Sequence, residues 1–250
     1  MNCVNRVIDI LEVFLKEGNG IRLQELSELS GLNVSTTYRI VSTLVERGYL
    51  NQHHKRGEYF LSLKLLQFGI TIKKSFHIRD VAYPYLVELN RLTNEAANLA
   101  ILDGNHALNI EHIESSYDLR YTSQTGAIIP LHNTAVGKVL LAYMREEELK
   151  QFLVENGLPR FTERTITDSN LLKDELASIR REEIAIDNEE NTIGVTCIGS
   201  PIKDSTKMVI AAINISGPSA RLNANKIREF KLLVKDYALK ISREMGYRDD

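Results

Sequence analysis

Apolar residues recur at three- and four-residue spacing from the start of the chain. Val4, Val7, Ile8, Leu11, Phe14 and Leu15 make one stripe, the period of an amphipathic helix. Gly18-Asn19-Gly20 ends it. Ile21-Arg22 reads as a short extended entry, and Leu23 to Leu29 as a second helix with Leu23, Leu26 and Leu29 inward. In Ser30-Gly31-Leu32-Asn33, Gly31 supplies the backbone freedom of a tight interhelical turn and Leu32 plugs the space beneath it. A third helix is capped near Asn33 to Ser35 and runs to Arg47, with Ile40, Val41, Leu44 and Val45 as its buried face, and stops at Gly48. The period then changes. Tyr49 to Gln52 and Glu58 to Leu61 read as two short strands around the tip His53-His54-Lys55-Arg56-Gly57.

Helical spacing returns from Ser62 to about Lys74, dense enough in apolar residues to pack on a partner or on its own domain. Another helix is expected from Asp80 to about Asn94, with Pro84 near its first turn and Leu86, Leu89 and Leu92 inward. Beyond it Asn98 to Asp103 and Ala107 to Glu114 read as strands joined at Gly104-Asn105, a hairpin signal. Leu119 to Ser123, Ile184 to Asp187, Val195 to Ser200 and Met208 to Ser216 are further strand candidates. Thr134 to Tyr143, Glu146 to Asn156, Asn170 to Glu183 and Leu222 to Met245 are helical. The order predicts an α+β domain around one antiparallel sheet.

The polar residues of the third helix separate it from an ordinary packing element. Ser35, Thr36, Thr37, Tyr38 and Arg39 put hydrogen-bonding groups in its first turn. A recognition helix needs such groups there, because its N-terminal residues meet base edges and phosphates in the major groove. Arg39 can fork onto guanine or phosphate, and Tyr38 and the hydroxyls can reach phosphate oxygens. The His54-Lys55-Arg56 tip then reads as a wing that can lie along a phosphate backbone or in a minor groove. Charge agrees: residues 1–75 carry ten basic and seven acidic side chains, and the remainder 21 and 26, within a total of −2. The alternative is a small helical unit that packs only on protein.

Composition narrows the remaining classes. The longest strongly apolar run, Met208 to Ile213, is far short of a membrane span, and the first residues do not resemble a secretory signal. Two isolated cysteines, Cys3 and Cys197, make no disulfide framework and suit a reducing cytoplasm. No Gly-rich phosphate loop, nucleophile elbow or metal-ligand spacing calls for a cofactor. His106 and His112, six apart on one strand, are expected to share a face but lack cysteine partners. His132 is a cap or a core residue.

Several motifs in order resemble the isocitrate lyase regulator (IclR) family over nearly the whole chain. They are Asn5-Arg6, the run Gly31 to Arg39, Gly126 with Pro130 to Lys138, Asp187 to Glu190, Gly194 to Ile198, Pro201, and Ile215 to Pro218. The resemblance implies a winged helix-turn-helix head over residues 1–61, a linker helix over 62–78 and a GAF-like α/β effector-binding and oligomerisation domain over 79–250. It implies a repressor or activator working as a homodimer or homotetramer on palindromic double-stranded operator DNA. Arg22, Ser35, Thr36, Thr37, Tyr38, Arg39, His54, Lys55 and Arg56 are the expected DNA contacts. Carried over position by position, the effector pocket has Leu119 and Tyr121 on one wall. Ala135 and Val136 would offer helix N-terminal amides to a carboxylate. Asp187, Val195, Cys197, Asn214 and Ser216 would line the other side. Asn214 and Ser200 depart from the expected serine and alanine, and Tyr121 is bulky, which bears on the ligand. Without the resemblance, Asp187 would read as part of a solvated acidic loop and Cys197 as a small buried hydrophobe, and Arg120 stays open between a salt bridge and a ligand contact. Two other functions remain: a hydrolase using Cys197 or an Asp/Glu pair, and an architectural module that senses nothing.

Overall fold

The computed structural model describes residues 3–18, 20–53, 57–68 and 77–248. The wing tip His54-Lys55-Arg56 and residues 69–76 of the expected linker lie outside these residues. The chain forms two compact units, Met1–Phe76 and His77–Asp250.

In the first unit α1 (Cys3–Glu17) buries Ile10, Val13 and Phe14. Val7 and Leu11 pack at the edge of the core, whereas Val4, Ile8 and Leu15 of the predicted stripe are exposed. The apolar pattern is wider than the buried face, and the face is rotated towards Ile10 and Val13. After β1 (Ile21–Arg22), α2 (Leu23–Ser30) buries Leu26, while Leu29 lies exposed rather than inward. Gly31 at φ 68° closes α2: its amide donates to the Glu28 carbonyl and that of Leu32 to the Ser27 carbonyl. These two bonds define a Schellman stop, which requires a left-handed residue. Leu32 packs on the core as the plug between helices. In α3 (Val34–Glu46), Asn33 caps the start by accepting the Thr36 amide at 2.9 Å. β2 (Leu50–His53) and β3 (Glu58–Leu61) pair antiparallel, and β1 adds to the free edge of β3. Lys64 Nζ donates to the Arg47 carbonyl at 2.7 Å, placing a cation on the C-terminal end of α3.

The second unit opens with α4 (His77–Thr93), three residues earlier than Asp80. Pro84 therefore lies inside the helix. Ile78, Ala82, Leu86 and Leu89 are its buried face, and Leu92 is exposed. The strands are β4 (Ala96–Asp103), β5 (His106–Ile113), β6 (Ile128–Ile129), β7 (Ala185–Asn188), β8 (Val195–Lys203) and β9 (Val209–Pro218). They form one antiparallel sheet in the order β6-β5-β4-β9-β8-β7. Leu119 to Ser123 form no strand. Ile128 and Ile129 take the β5 edge instead, and the Leu119 carbonyl is held by the Arg221 guanidinium at 2.8 Å.

One face of the sheet carries Leu99, Ile198, Ile213 and Ile215 and packs on α4 and on α8 (Ala224–Glu244). The other carries small residues, Ala100, Ala107, Ala185 and Ala212. They admit α5 (Ala135–Ala142), every residue of which is buried; a helix apolar nearly all round belongs inside a core. α6 (Glu146–Asn156) and α7 (Ser169–Glu182) complete that layer through Phe152, Leu172 and Leu176. Gly137 lets α5 descend: a Cβ there would lie 2.4 Å from the Pro130 carbonyl oxygen.

Candidate nucleic-acid interface and ligand cavity

The capped start of α3 leaves Ser35, Tyr38 and Arg39 exposed and Thr36 half-buried. Ser35 Oγ donates to Asn33 Oδ1 at 3.0 Å. Thr37 corrects the expectation. It is fully buried and its hydroxyl donates back to the Asn33 carbonyl at 3.1 Å, so its side chain faces the core rather than a groove. Arg22, just before α2, is largely exposed, with Glu58 at 4.0 Å. The expected contacts His54, Lys55 and Arg56 lie outside the described residues.

In the second unit a cavity of about 120 Å³ lies between the N-terminal end of α5 and the small-residue face of the sheet. Tyr121, Val136, Asp187, Val195, Cys197, Asn214 and Ser216 all line it, as the resemblance implied. Leu119 and Ala135 do not. The Leu119 side chain is turned to solvent, and Ala135 is buried against Gly199. Asn98, Ser123, Thr134, Asn191 and the apolar segment 127–130 also line the cavity, and the sequence reading missed them. Asn98 had a signal: it is the one polar residue within the apolar run Ala96 to Leu102.

The α5 end follows helix-capping rules. Thr134 Oγ1 accepts the Gly137 amide at 3.1 Å and donates to the Pro130 carbonyl at 2.6 Å. The first-turn amides of Ala135 and Val136 have no partner within the helix. Facing this end, Asp187 Oδ1 accepts the amides of Glu190 at 2.7 Å and Asn191 at 3.3 Å. Burial pushes the Asp187 carboxyl up to about 7, with the Glu190 charge adding to the rise against those two amides. The fully buried Cys197 thiol is pushed far up, by burial and then by Asp187. Such a thiol is the reverse of a nucleophile. Burial also raises the Tyr121 phenol.

Lys138 supports this wall from behind. Its ammonium, on a side chain 1% exposed, donates to Glu190 Oε1 at 2.5 Å, the Ile186 carbonyl at 2.6 Å and Glu175 Oε1 at 3.3 Å. Nothing in its sequence position marked this lysine as buried. Across the sheet floor, Asn98 Nδ2 donates to Asn214 Oδ1 at 3.0 Å, and Asn214 Nδ2 to Ser216 Oγ at 2.9 Å. His112 Nδ1 lies 2.7 Å from Asn98 Oδ1. His106 does not share that face, contrary to expectation. Pairing runs Ala100 with Asn109 but Leu99 with Glu111, so Ile110 is an extra residue and the β-bulge inverts the alternation between the two histidines. His132 is buried and donates through Nε2 to the Pro159 carbonyl at 2.9 Å, and Arg120 pairs with Glu114 at 3.4 Å.

Two domain models of one protein family match the chain. The IclR helix-turn-helix domain matches residues 4–54, and the bacterial transcriptional regulator IclR C-terminal domain matches residues 71–243. The HTH-type transcriptional regulator XynR of Escherichia coli (strain K12) is 34% identical over 244 residues, 98% of this chain and 97% of that protein. KdgR of the same strain is 36% identical over 249 residues, 100% and 94% of the two chains. The crystal structure of Thermotoga maritima IclR is similar at TM-score 0.81 and 33% identity, over 98% of each chain. An IclR homolog of Microbacterium hydrocarbonoxydans, crystallised in complex with 4-hydroxybenzoate, shares the fold at TM-score 0.87 and 24% identity, over 98% of this chain and 99% of that one.

Proposed function

Since the chain belongs to the IclR family of bacterial transcriptional regulators, we propose that its grip on operator DNA is set by a small carboxylate held in the cavity beneath α5. The observation that carries this reading is a cavity of mixed apolar and polar lining at a helix N-terminus in a DNA-binding regulator. Free amides and the helix dipole favour an anion there. A neutral Asp187 carboxyl, available below about pH 7, can donate to one. A dry cavity of about 150 Å³ takes one benzene, so about 120 Å³ suits an acid of that order of size. Tyr121, Val136, Asp187, Val195, Cys197, Asn214 and Ser216 are the contacts in this reading, joined by Asn98 and Asn191.

In the head, Ser35, Thr36, Tyr38 and Arg39 enter the major groove, and Arg22, His54, Lys55 and Arg56 meet phosphate. Residues 62–78 link head and sensor, and a homo-oligomer sets two recognition helices about 34 Å apart, one DNA turn. A ligand that binds one arrangement more tightly shifts that spacing. In this reading the protein acts in the cytoplasm as a regulator and not as an enzyme; a Cys197 thiol raised by burial is a poor nucleophile.

The test is selection of duplexes from a random library by the full chain, followed by titration of the enriched duplex with carboxylates from acetate to 4-hydroxybenzoate. Palindromic enrichment and an affinity changed by at least one acid are expected. Enrichment of no sequence, or an affinity that none of the acids moves, would remove the proposal.

A further inference from the structure

We infer that the sheet floor of the cavity has one fixed hydrogen-bond polarity, held by His112 as a positioning residue in its Nδ1–H form, so that the site selects ligands presenting acceptor oxygens to β4 and β9. This rests on the effector reading for its ligand and on side-chain geometry for its polarity.

The polarity starts at a group that can only accept. The Gln124 carbonyl receives Asn109 Nδ2 at 3.1 Å, which orients the Asn109 amide. The same Nδ2 lies 3.2 Å from Ser123 Oγ and 3.5 Å from Asn98 Oδ1. Turning the Asn98 amide over would set its NH₂ against that NH₂, so Asn98 shows its oxygen there. The His112 Nδ1 that meets this oxygen at 2.7 Å must then carry the proton, since a histidine's tautomer follows the partner its nitrogen meets. With Asn98 fixed, its nitrogen faces Asn214 Oδ1, which turns the Asn214 nitrogen onto Ser216 Oγ.

The consequence is read from the donor and acceptor inventory. Asn98 Oδ1 already serves two donors, Asn214 Oδ1 serves Asn98, and Ser216 Oγ serves Asn214. A second hydrogen on each amide remains, and both asparagines line the cavity, while the Ser216 hydroxyl is bonded to Cys197. The floor therefore offers donors, which match a carboxylate and repel an amine or an amide NH₂. His112 does not line the cavity and acts through Asn98. No described charge completes this polarity; it descends from one backbone carbonyl through four side chains on three strands.

The experiment uses the full chain with ¹⁵N-labelled histidine. Long-range ¹H–¹⁵N correlation reads the His112 tautomer, assigned by the signal lost in His112→Asn. A fixed Nδ1–H form is expected, and an Nε2–H form or an averaged signal would overturn the inference. Calorimetry with benzoate and benzamide gives the second arm. The parent should favour benzoate by about tenfold, the effect of one hydrogen bond. His112→Asn, whose amide nitrogen can stand where Nδ1 stood, should keep that ratio, and His112→Phe, which strips Asn98 Oδ1 of its 2.7 Å donor and leaves only the 3.5 Å contact to Asn109, should lower it. An unchanged ratio in His112→Phe, or a parent that prefers benzamide, would contradict the assignment. Nδ1–H with neither probe bound would uphold the polarity and count against the effector reading alone. If His112→Phe does not fold, the tautomer and the His112→Asn ratio decide.

Discussion

Replacing Lys138 with methionine should destabilise the second unit heavily. The two side chains are similar in length, so little packing is lost, and the change isolates the charge. Lys138 serves three acceptors at 2.5 to 3.3 Å, and its closest partner, Glu190, is itself buried. Burial already raises the Glu190 carboxyl, and the ammonium is the main influence opposing that rise. Removing one partner of a buried pair leaves an uncompensated charge, a loss of about 3–5 kcal/mol. The Ile186 carbonyl would lose its donor as well. Urea unfolding of the full chain, followed by circular dichroism, should show the loss in one transition, that of residues 77–250. The loss should shrink as pH falls, because a proton taken up by the raised Glu190 carboxyl removes the lone charge. Lys138→Met with Glu190→Gln should recover at least half of it, because the double variant buries no lone charge. A loss under about 1 kcal/mol, or a double variant no better than the single one, would refute the reasoning.

Asp187→Asn tests the raised carboxyl. Its folded value of about 7 exceeds the ordinary value near 4, so the native chain holds the extra proton between them and stability falls as pH rises across that window. The asparagine still accepts the Glu190 amide, so the variant should lose less thermal stability than the parent between pH 5 and pH 8; equal losses would count against a buried, raised Asp187. Gly137→Ala should destabilise by about 1–3 kcal/mol through overpacking, because the methyl would meet backbone at 2.4 and 2.6 Å; a neutral result in the same urea experiment would show that α5 sits less deeply. Arg39→Ala should weaken binding to the selected duplex by about 1–3 kcal/mol and relax base preference if its contact is bidentate. Unchanged affinity by fluorescence anisotropy would move the recognition surface elsewhere.

Local signals carried much of the fold. The α2–turn–α3 unit was legible because Gly31 and Asn33 act on their own neighbours, one as a left-handed stop and one as a cap. The hairpin at Gly104-Asn105 and the helices α5, α6, α7 and α8 follow from turn chemistry and apolar period in the same way. What escaped depends on partners distant in the chain. Thr37 fits a polar first turn, yet one helical position carries it inward. Leu119 to Ser123 has strand composition, but another segment holds the β5 edge. The bulge at Ile110 leaves no mark in composition, and it decides which histidine stands beside the cavity. The resemblance located seven of the fifteen residues of the cavity wall, but Asn98 and the buried Lys138 became functional candidates only when the sheet and α5 placed them against Asn214 and Glu190.

The link between cavity and DNA is tested most directly by anisotropy titrations of the selected duplex, with and without saturating effective acid, on the parent and on Val136→Phe. Val136 lines the cavity, and the larger ring would occupy it. The acid should shift duplex affinity in the parent and leave that of Val136→Phe unmoved. An equal shift in both proteins would place the controlling ligand somewhere other than beneath α5.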